Sequence, residues 1–207
     1  MKVVANIATR GNRPKELIKT IMSLKDQCDE INVWDNSKGG INYTDNAKFY
    51  YLQSYQEPVY YLGIDDDIIY AHNFVERLKY FIDNYNAIIS FHGRILKEPV
   101  NSYYKGHTIF DYRHELKTSK YVDVVGTGVL GFRTDYFNPV DLYKSEFKCM
   151  SDLVFSLEAK KQGKTLICAE HERGWLKAQY TESGIMQSQI NTDQINQINL
   201  AKEIMRL

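Results

Sequence analysis

The chain has 207 residues, 43% hydrophobic and 25% charged, which suits one ordinary globular domain with a substantial core. Lysine plus arginine and aspartate plus glutamate balance at 26 each, so no global field exists to hold a polyanion, and a nucleic-acid partner is not expected. Cys28, Cys149 and Cys168 are widely spaced, without the close Cys/His pairs of a zinc site or the framework of a small secreted fold; reduced, buried thiols are expected.

Lys2 to Ala8 is a short apolar, β-branched run that gives way to turn residues at Thr9-Arg10-Gly11-Asn12. Pro14 suits the first turn of a helix, and Leu17, Ile18, Ile21, Met22 and Leu24 follow at helical spacing. Ile31 to Trp34 predicts a second strand, closed by Asp35-Asn36-Ser37 before Gly39-Gly40. Val59 to Ile64 predicts a third, closed by Asp65-Asp66-Asp67, and Phe74, Leu78, Phe81 and Ile82 mark the next helix. Ala87 to Phe91 gives another strand. This alternation predicts an α/β domain with a mostly parallel central sheet flanked by helices, in which ligands sit beyond the carboxyl ends of the strands.

From Glu98 to Lys120 the pattern loosens into an excursion or an edge hairpin, rich in tyrosine. Val122 to Val125, Gly126-Thr127-Gly128 and Val129 to Phe132 predict strand, glycine turn and strand, and a small antiparallel element is expected beside the main sheet. Asp152 to Lys161 predicts a helix with Ser151 at its N-cap, Thr165 to Ala169 a late strand, and Ile190, Ile195, Ile198 and Ile204 a C-terminal helix. One domain over residues 1–207 is expected; the strand Tyr60-Tyr61-Leu62-Gly63-Ile64 running into Asp65-Asp66-Asp67 resembles that of GT-A glycosyltransferases, and the resemblance implies a nucleotide-binding half in 1–97 and an acceptor-side half in 98–207. No apolar run approaches the roughly 20 residues of a membrane span and no signal peptide is evident, so a cytosolic protein is expected. The chain ends in a helix without a polar tail, compatible with a domain of a longer polypeptide.

In an extended chain, residues i and i+2 face the same way, so Asp65 and Asp67 would present two carboxylates to one point while Asp66 faces elsewhere. That geometry suits Mn²⁺ or Mg²⁺, held by one or two carboxylates plus phosphate oxygens. The plainer alternative is a solvated acidic loop ahead of the next helix.

The run Tyr60-Tyr61-Leu62-Gly63-Ile64 into Asp65-Asp66-Asp67 resembles the DxD motif of GT-A glycosyltransferases. The resemblance extends over most of the chain through the order of its motifs, and it implies a Rossmann-like GT-A domain acting on a nucleotide-sugar donor, UDP by the habit of the family, and a carbohydrate or glycan acceptor. It implies Asp65 near the ribose or metal and Asp67 as the direct metal ligand. Thr9-Arg10-Gly11 and Asp35-Asn36 match the positions that hold nucleobase and ribose; Asp35 is equally an Asx-turn residue, and Arg10 and Arg13 equally solvated surface. Asp152 resembles the acid that supplies the acceptor-side base in inverting members, although their Glu-Asp pair is Ser-Asp here; a helix-start carboxylate stabilised by the dipole is the alternative, and Glu146 and Glu158 are weaker substitutes.

In His171-Glu172-Arg173-Gly174-Trp175, His171 would complete the cation's shell and Arg173 or Lys177 would meet the diphosphate, with an exposed loop histidine as the alternative; Trp175 would stack on a sugar or simply pack. Gly128, in a segment similar to the glycine-rich stretch beside the donor sugar, and Arg94 are further donor-site candidates. The tyrosine-, asparagine- and lysine-rich composition also resembles glycosyltransferase domains of large DNA viruses such as those of chlorella. Arg10 to Lys15 is faintly similar to the signature loop of sugar-1-phosphate nucleotidyltransferases but has one glycine where that loop needs several. A phosphohydrolase would carry its Asp-x-Asp after the first strand rather than the third. A non-catalytic nucleotide-sugar-binding domain would have no need of Asp152.

Overall fold

In a computed structural model, residues 1–179 and 194–207 are described. The first half contains β1 (Lys2–Thr9), α1 (Pro14–Leu24), β2 (Glu30–Asp35), a 3-10 helix (Thr44–Ser54), β3 (Val59–Asp65), β4 (Ile68–Ile69), α2 (Phe74–Tyr85), β5 (Ile88–Ser90) and β6 (Gly93–Ile95). Then come β7 (Thr108–Phe110), β8 (Lys120–Tyr121), β9 (Val124–Val125), β10 (Val129–Arg133), α3 (Ser151–Lys161), β11 (Leu166–Cys168), β12 (Lys177–Ala178) and α4 (Gln194–Met205). The α/β architecture agrees with the alternation in the sequence. A central sheet has the order β2-β1-β3-β10-β5-β11-β8, and β7-β6-β9 forms a small antiparallel sheet beside it.

β2, β1, β3, β5 and β11 run one way, and β10 and β8 run against them. Register sets the site. Thr9 pairs with Asp35 and Ala8 with Asp65, so the carboxyl ends of β1, β2 and β3 stop side by side. Because β10 enters antiparallel, with Val129 opposite Ile64, the preceding Thr127-Gly128 arrives at the same edge. β10 thus brings a strand from the second half of the chain between β3 and β5 of the first.

Alternation along the strands builds a core on each face of the sheet. Val3, Ala5, Ile7, Leu62 and Ile64 face α2 and the inner stripe of α1. Val4, Val59 and Tyr61 face the 3-10 helix and α3, where Phe49 and Phe155 stack with centroids 5.2 Å apart. Each such ring, fully buried, contributes about 2–3 kcal/mol. A third cluster joins Leu153 and Leu157 of α3 to Leu200 and Ile204 of α4.

Several expectations need correction. The buried stripe of α1 is Leu17, Ile21 and Leu24, whereas Ile18 and Met22 are 60% and 55% exposed, because one face only meets the sheet. β9 and β10 are not a hairpin: β9 pairs with β6, β10 with β3 and β5, and Gly126-Thr127-Gly128 carries the chain from one sheet to the other. Ser151 is the first residue of α3, not its cap, and its hydroxyl meets Thr127 instead. Ile195 of α4 is exposed, while Gln197, Leu200, Ala201 and Ile204 are buried; Ile190 lies outside the described residues. Among the described residues no helix is long and apolar enough to cross a membrane.

Candidate functional site

A cavity of about 350 Å³ lies over the strand ends, walled by Arg10 after β1, Asn36 after β2, Asp65 to Asp67 after β3, Asp45 and Lys48 of the 3-10 helix, Thr127 before β10, and Ser151 and Asp152 of α3. His92, Arg94, Tyr103, Tyr104 and Gln197 also line it.

The acidic triplet does not stay extended. Asp66 and Asp67 form a turn between β3 and β4, held by the Thr20 hydroxyl, which donates to the carbonyls of Asp66 (3.1 Å) and Ile68 (2.8 Å). The turn brings Asp66 and Asp67 together onto Arg13, whose Nη1 lies 3.5 Å from Asp66 Oδ1 and 2.8 Å from Asp67 Oδ2. Asp65 faces away from Arg13 to Lys48, Nζ to Oδ1 2.6 Å. Asp66 therefore joins Asp67 instead of facing elsewhere, because a turn rotates successive side chains where a strand would alternate them, while the charge of Asp65 still acts on Asp67. Burial, then Asp65 and Asp66, push the Asp67 carboxyl up to about 6 despite Arg13; burial likewise raises Asp66 against a hydrogen bond from Thr9.

Lys48 is the hub. It is enclosed, at 3% side-chain exposure, and its Nζ also lies 3.4 Å from Thr127 Oγ1. Burial works to strip its proton, but Asp65, Asp45 and Asp152 together act against that and hold the ammonium above its usual range. The 3-10 helix that carries Lys48 is anchored to the start of α3: Asp45 Oδ2 accepts the Ser151 N–H (3.0 Å), and Thr44 Oγ1 accepts that of Cys149 (3.0 Å). A first-turn amide of α3, unpaired within its own helix, is thus satisfied from another element.

Asp152 is oriented by Thr127. Its Oδ1 accepts the Thr127 backbone N–H and the Thr127 hydroxyl, both at 2.8 Å. Thr127 has one hydroxyl proton, so when it goes to Asp152 the Ser151 hydroxyl, 2.7 Å away, must donate to Thr127. Gly128 is required by close approach: a Cβ there would lie 1.9 Å from Asp65 Oδ2.

Other candidates divide. Arg10 reaches the cavity, with Nη2 3.7 Å from Cys149 Sγ. Thr9 is buried beneath it and accepts the Gly11 N–H at 3.3 Å. Asn36 lines the cavity, but its amide donates to Thr9 O and Thr44 O and accepts from Tyr43 N, so it ties loops together. Asp35 is outside the wall and forms an Asx turn, accepting Ser37 N (2.9 Å) and Oγ (2.6 Å); those hydrogen bonds lower its pKa. His171 is buried with Nδ1 2.7 Å from Ala169 O and Nε2 3.4 Å from Asp111 O, and it is not in the cavity wall. The structure does not bring it to the acidic turn whose cation it was expected to share: Nδ1–H donates to the Ala169 carbonyl, and the ring is buried outside the cavity wall. Arg173 is exposed and away from the cavity wall. Trp175 packs on Phe91 at 4.8 Å and donates to Asn73 Oδ1 at 2.9 Å. Arg94 lines the cavity, stacked on Tyr103 at 4.3 Å, and among the described residues makes no ion pair with the acidic turn, whose partners are Arg13 and Lys48.

Asp45 and Lys48 were not anticipated. The signal available was a lysine embedded in the apolar run Asn46-Ala47-Lys48-Phe49-Tyr50-Tyr51-Leu52, a place where a charge needs a buried partner. Compared with known proteins, the chain matches no family model and no curated sequence.

Proposed function

We propose that the chain is a metal-dependent, inverting glycosyltransferase of GT-A type, moving a sugar from a nucleotide diphosphate, with UDP as the expected nucleotide, to a hydroxyl of a carbohydrate. The observation that carries this reading is one cavity that joins the acidic turn after β3 to Asp152 of α3, with Lys48 and Thr127 between them. A domain that only binds a nucleotide sugar has no use for a second carboxylate oriented this way.

The residues fit a hard divalent cation. Among the described residues no three His, Cys, Asp or Glu side chains form a self-sufficient cage. The turn instead offers carboxylates crowded enough to hold Asp67 up to about 6, the donor set of an ion whose remaining ligands are phosphate and water. Asp67 and Asp65 would hold Mn²⁺ or Mg²⁺, which when bound would neutralise charge developing on the departing diphosphate. Arg10 at the wall and Arg13 beside the turn add positive charge for the phosphates. Thr127 occupies Oδ1 of Asp152, which leaves Oδ2 to take the acceptor's proton. As that proton moves to Asp152, the acceptor oxygen bonds to the anomeric carbon and the bond from that carbon to the diphosphate oxygen breaks. This single displacement inverts the configuration.

The test is calorimetric titration with UDP, GDP and dTDP, with and without Mn²⁺, on the wild type and Asp67→Asn. One nucleotide should bind tightly with metal and lose that dependence in the variant. Equal binding by both proteins, or none by either, rejects the reading.

A further inference from the structure

One part of the cavity wall contains buried polar atoms left unsatisfied among the described residues. Arg94, Tyr103 and Gln197 are 6%, 6% and 2% exposed; the Tyr103 hydroxyl has no acceptor for its proton, and Arg94 Nε and Gln197 Oε1 have no hydrogen-bond partner there. The same is true of His92 Nδ1, and all four residues line this one cavity. Buried polar groups in a folded protein are nearly always paired, so a concentration of unpaired ones around a cavity marks where a ligand supplies the partners.

The charge specifies the ligand. Arg13, by contrast, has two carboxylates beside its guanidinium. Arg94 has no carboxylate within 4 Å among the described residues; its contacts are the Tyr103 carbonyl at 3.1 Å from Nη1 and the rings of Tyr103 and Tyr104 at 4.3 and 5.7 Å. Asp152 lines the same cavity and its charge acts on Tyr103 and His92, but its carboxylate makes no ion pair with Arg94 and its Oδ1 is engaged by Thr127. A buried guanidinium with no carboxylate in contact suits an anion, and Arg94 Nε and the Tyr103 hydroxyl each have a proton to offer its oxygens. Gln197 is the complement: its Nε2 donates to Tyr104 OH at 3.3 Å, which leaves Oε1 to accept from a hydroxyl.

We propose that this part of the cavity wall is an acceptor subsite for an acidic sugar, with the oxyanion on Arg94 and Tyr103 and a ring hydroxyl on Gln197. The proposal rests on the transferase reading, in which Asp152 faces the acceptor. It deepens that reading by naming the acceptor's charge: a carboxylate or a phosphate ester on a hydroxylated ring.

The purified chain is titrated by calorimetry, with UDP and Mn²⁺ present and then absent, against methyl glucuronide, glucose 6-phosphate and methyl glucoside. An acidic sugar should bind about tenfold or more tightly than the neutral one, and the better of the two acids identifies the oxyanion. Arg94→Gln should reduce that preference to within about twofold and leave UDP affinity unchanged, and Tyr103→Phe should weaken the acid about fivefold. Equal binding of acidic and neutral sugars by the wild type, or binding of neither, overturns the proposal. Loss of UDP affinity in Arg94→Gln also overturns it, by returning Arg94 to the donor side. If none of UDP, GDP and dTDP binds the wild type, the transferase reading fails, while the comparison of acids with the neutral sugar still decides the subsite. Should Arg94→Gln not fold by circular dichroism, the wild-type panel and Tyr103→Phe settle the matter.

Discussion

Replacing Lys48 with Met keeps the apolar stem and removes the ammonium that joins the two halves of the cavity. Lys48 Nζ is 2.6 Å from Asp65 Oδ1 and 3.4 Å from Thr127 Oγ1, with Asp45 and Asp152 in electrostatic reach. Breaking a fully buried pair costs about 3–5 kcal/mol, because the remaining charge is stranded. Asp65 is 47% exposed and can be rehydrated, so the loss here is smaller, about 1–3 kcal/mol. For a chain of this size that corresponds to a melting temperature lower by about 2–10 °C. Thermal melts of wild type and Lys48→Met in EDTA measure it, and Mn²⁺-dependent nucleotide binding should weaken about tenfold or more once Asp65 is free to turn. An unchanged or higher melting temperature would refute the argument, since it would mean that desolvating the ammonium costs as much as its carboxylates return. Lys48→Arg is the informative companion. A larger guanidinium in a space enclosed to 3% exposure should also destabilise, by overpacking rather than by loss of charge.

Asp152→Asn keeps an oxygen for the Thr127 donors but removes the proton acceptor; kcat should fall about 10²–10⁴-fold in a radiolabelled-sugar transfer assay while donor affinity stays within twofold. Gly128→Ala puts a methyl group where Asp65 Oδ2 now lies, so Asp65 must leave Lys48; nucleotide affinity should drop about tenfold, read by calorimetry, with a stability loss of about 1–3 kcal/mol in urea unfolding. Asp111 is raised by burial, yet hydrogen bonds from the Arg113 side chain and backbone overcome this and hold it down to about 2. A depressed carboxyl stabilises the fold above its unfolded value near 3.8 and loses that contribution as the pH falls through about 2. Asp111→Asn should therefore cost about 1–2 kcal/mol at pH 7 and almost nothing near pH 2, which a pH series of urea melts reads directly. Burial, then Asp29, pushes the Cys28 thiol up to about 12, and burial does the same for Cys168 and raises Cys149. At pH 8 iodoacetamide should label none of the three quickly in the native protein and all three after unfolding, as counted by mass spectrometry.

What the sequence made legible follows from how local its signals are. β1, β3 and α2 announce themselves because their apolar residues are contiguous or periodic and end on turn chemistry, and the acidic turn was found because it ends such a strand. The 3-10 helix Thr44–Ser54 has no such signature. Its buried positions are Asn46, Ala47, Lys48, Phe49 and Leu52, a mixture of polar and apolar side chains with no helical period. The glycine turn between β9 and β10 looks the same whether it closes a hairpin or passes a chain between sheets, since the partners that decide, β6 on one side and β3 and β5 on the other, lie tens of residues away. His171 shows the same limit at the level of one side chain: two backbone carbonyls distant in sequence from each other determine that its nitrogens face inward. Within the site, the carboxylates could be nominated because their chemistry is carried by residue type, whereas Lys48, Thr127 and Asp45 draw their roles entirely from neighbours brought together by the fold. Lys48 meets Asp65 across 17 positions and Thr127 across 79, and Asp45 meets Ser151 across 106. A charge in an apolar run is the one local trace such a residue leaves. It says that a counter-charge must exist without saying where, and in this fold the answer is Asp65, the carboxylate at the end of β3.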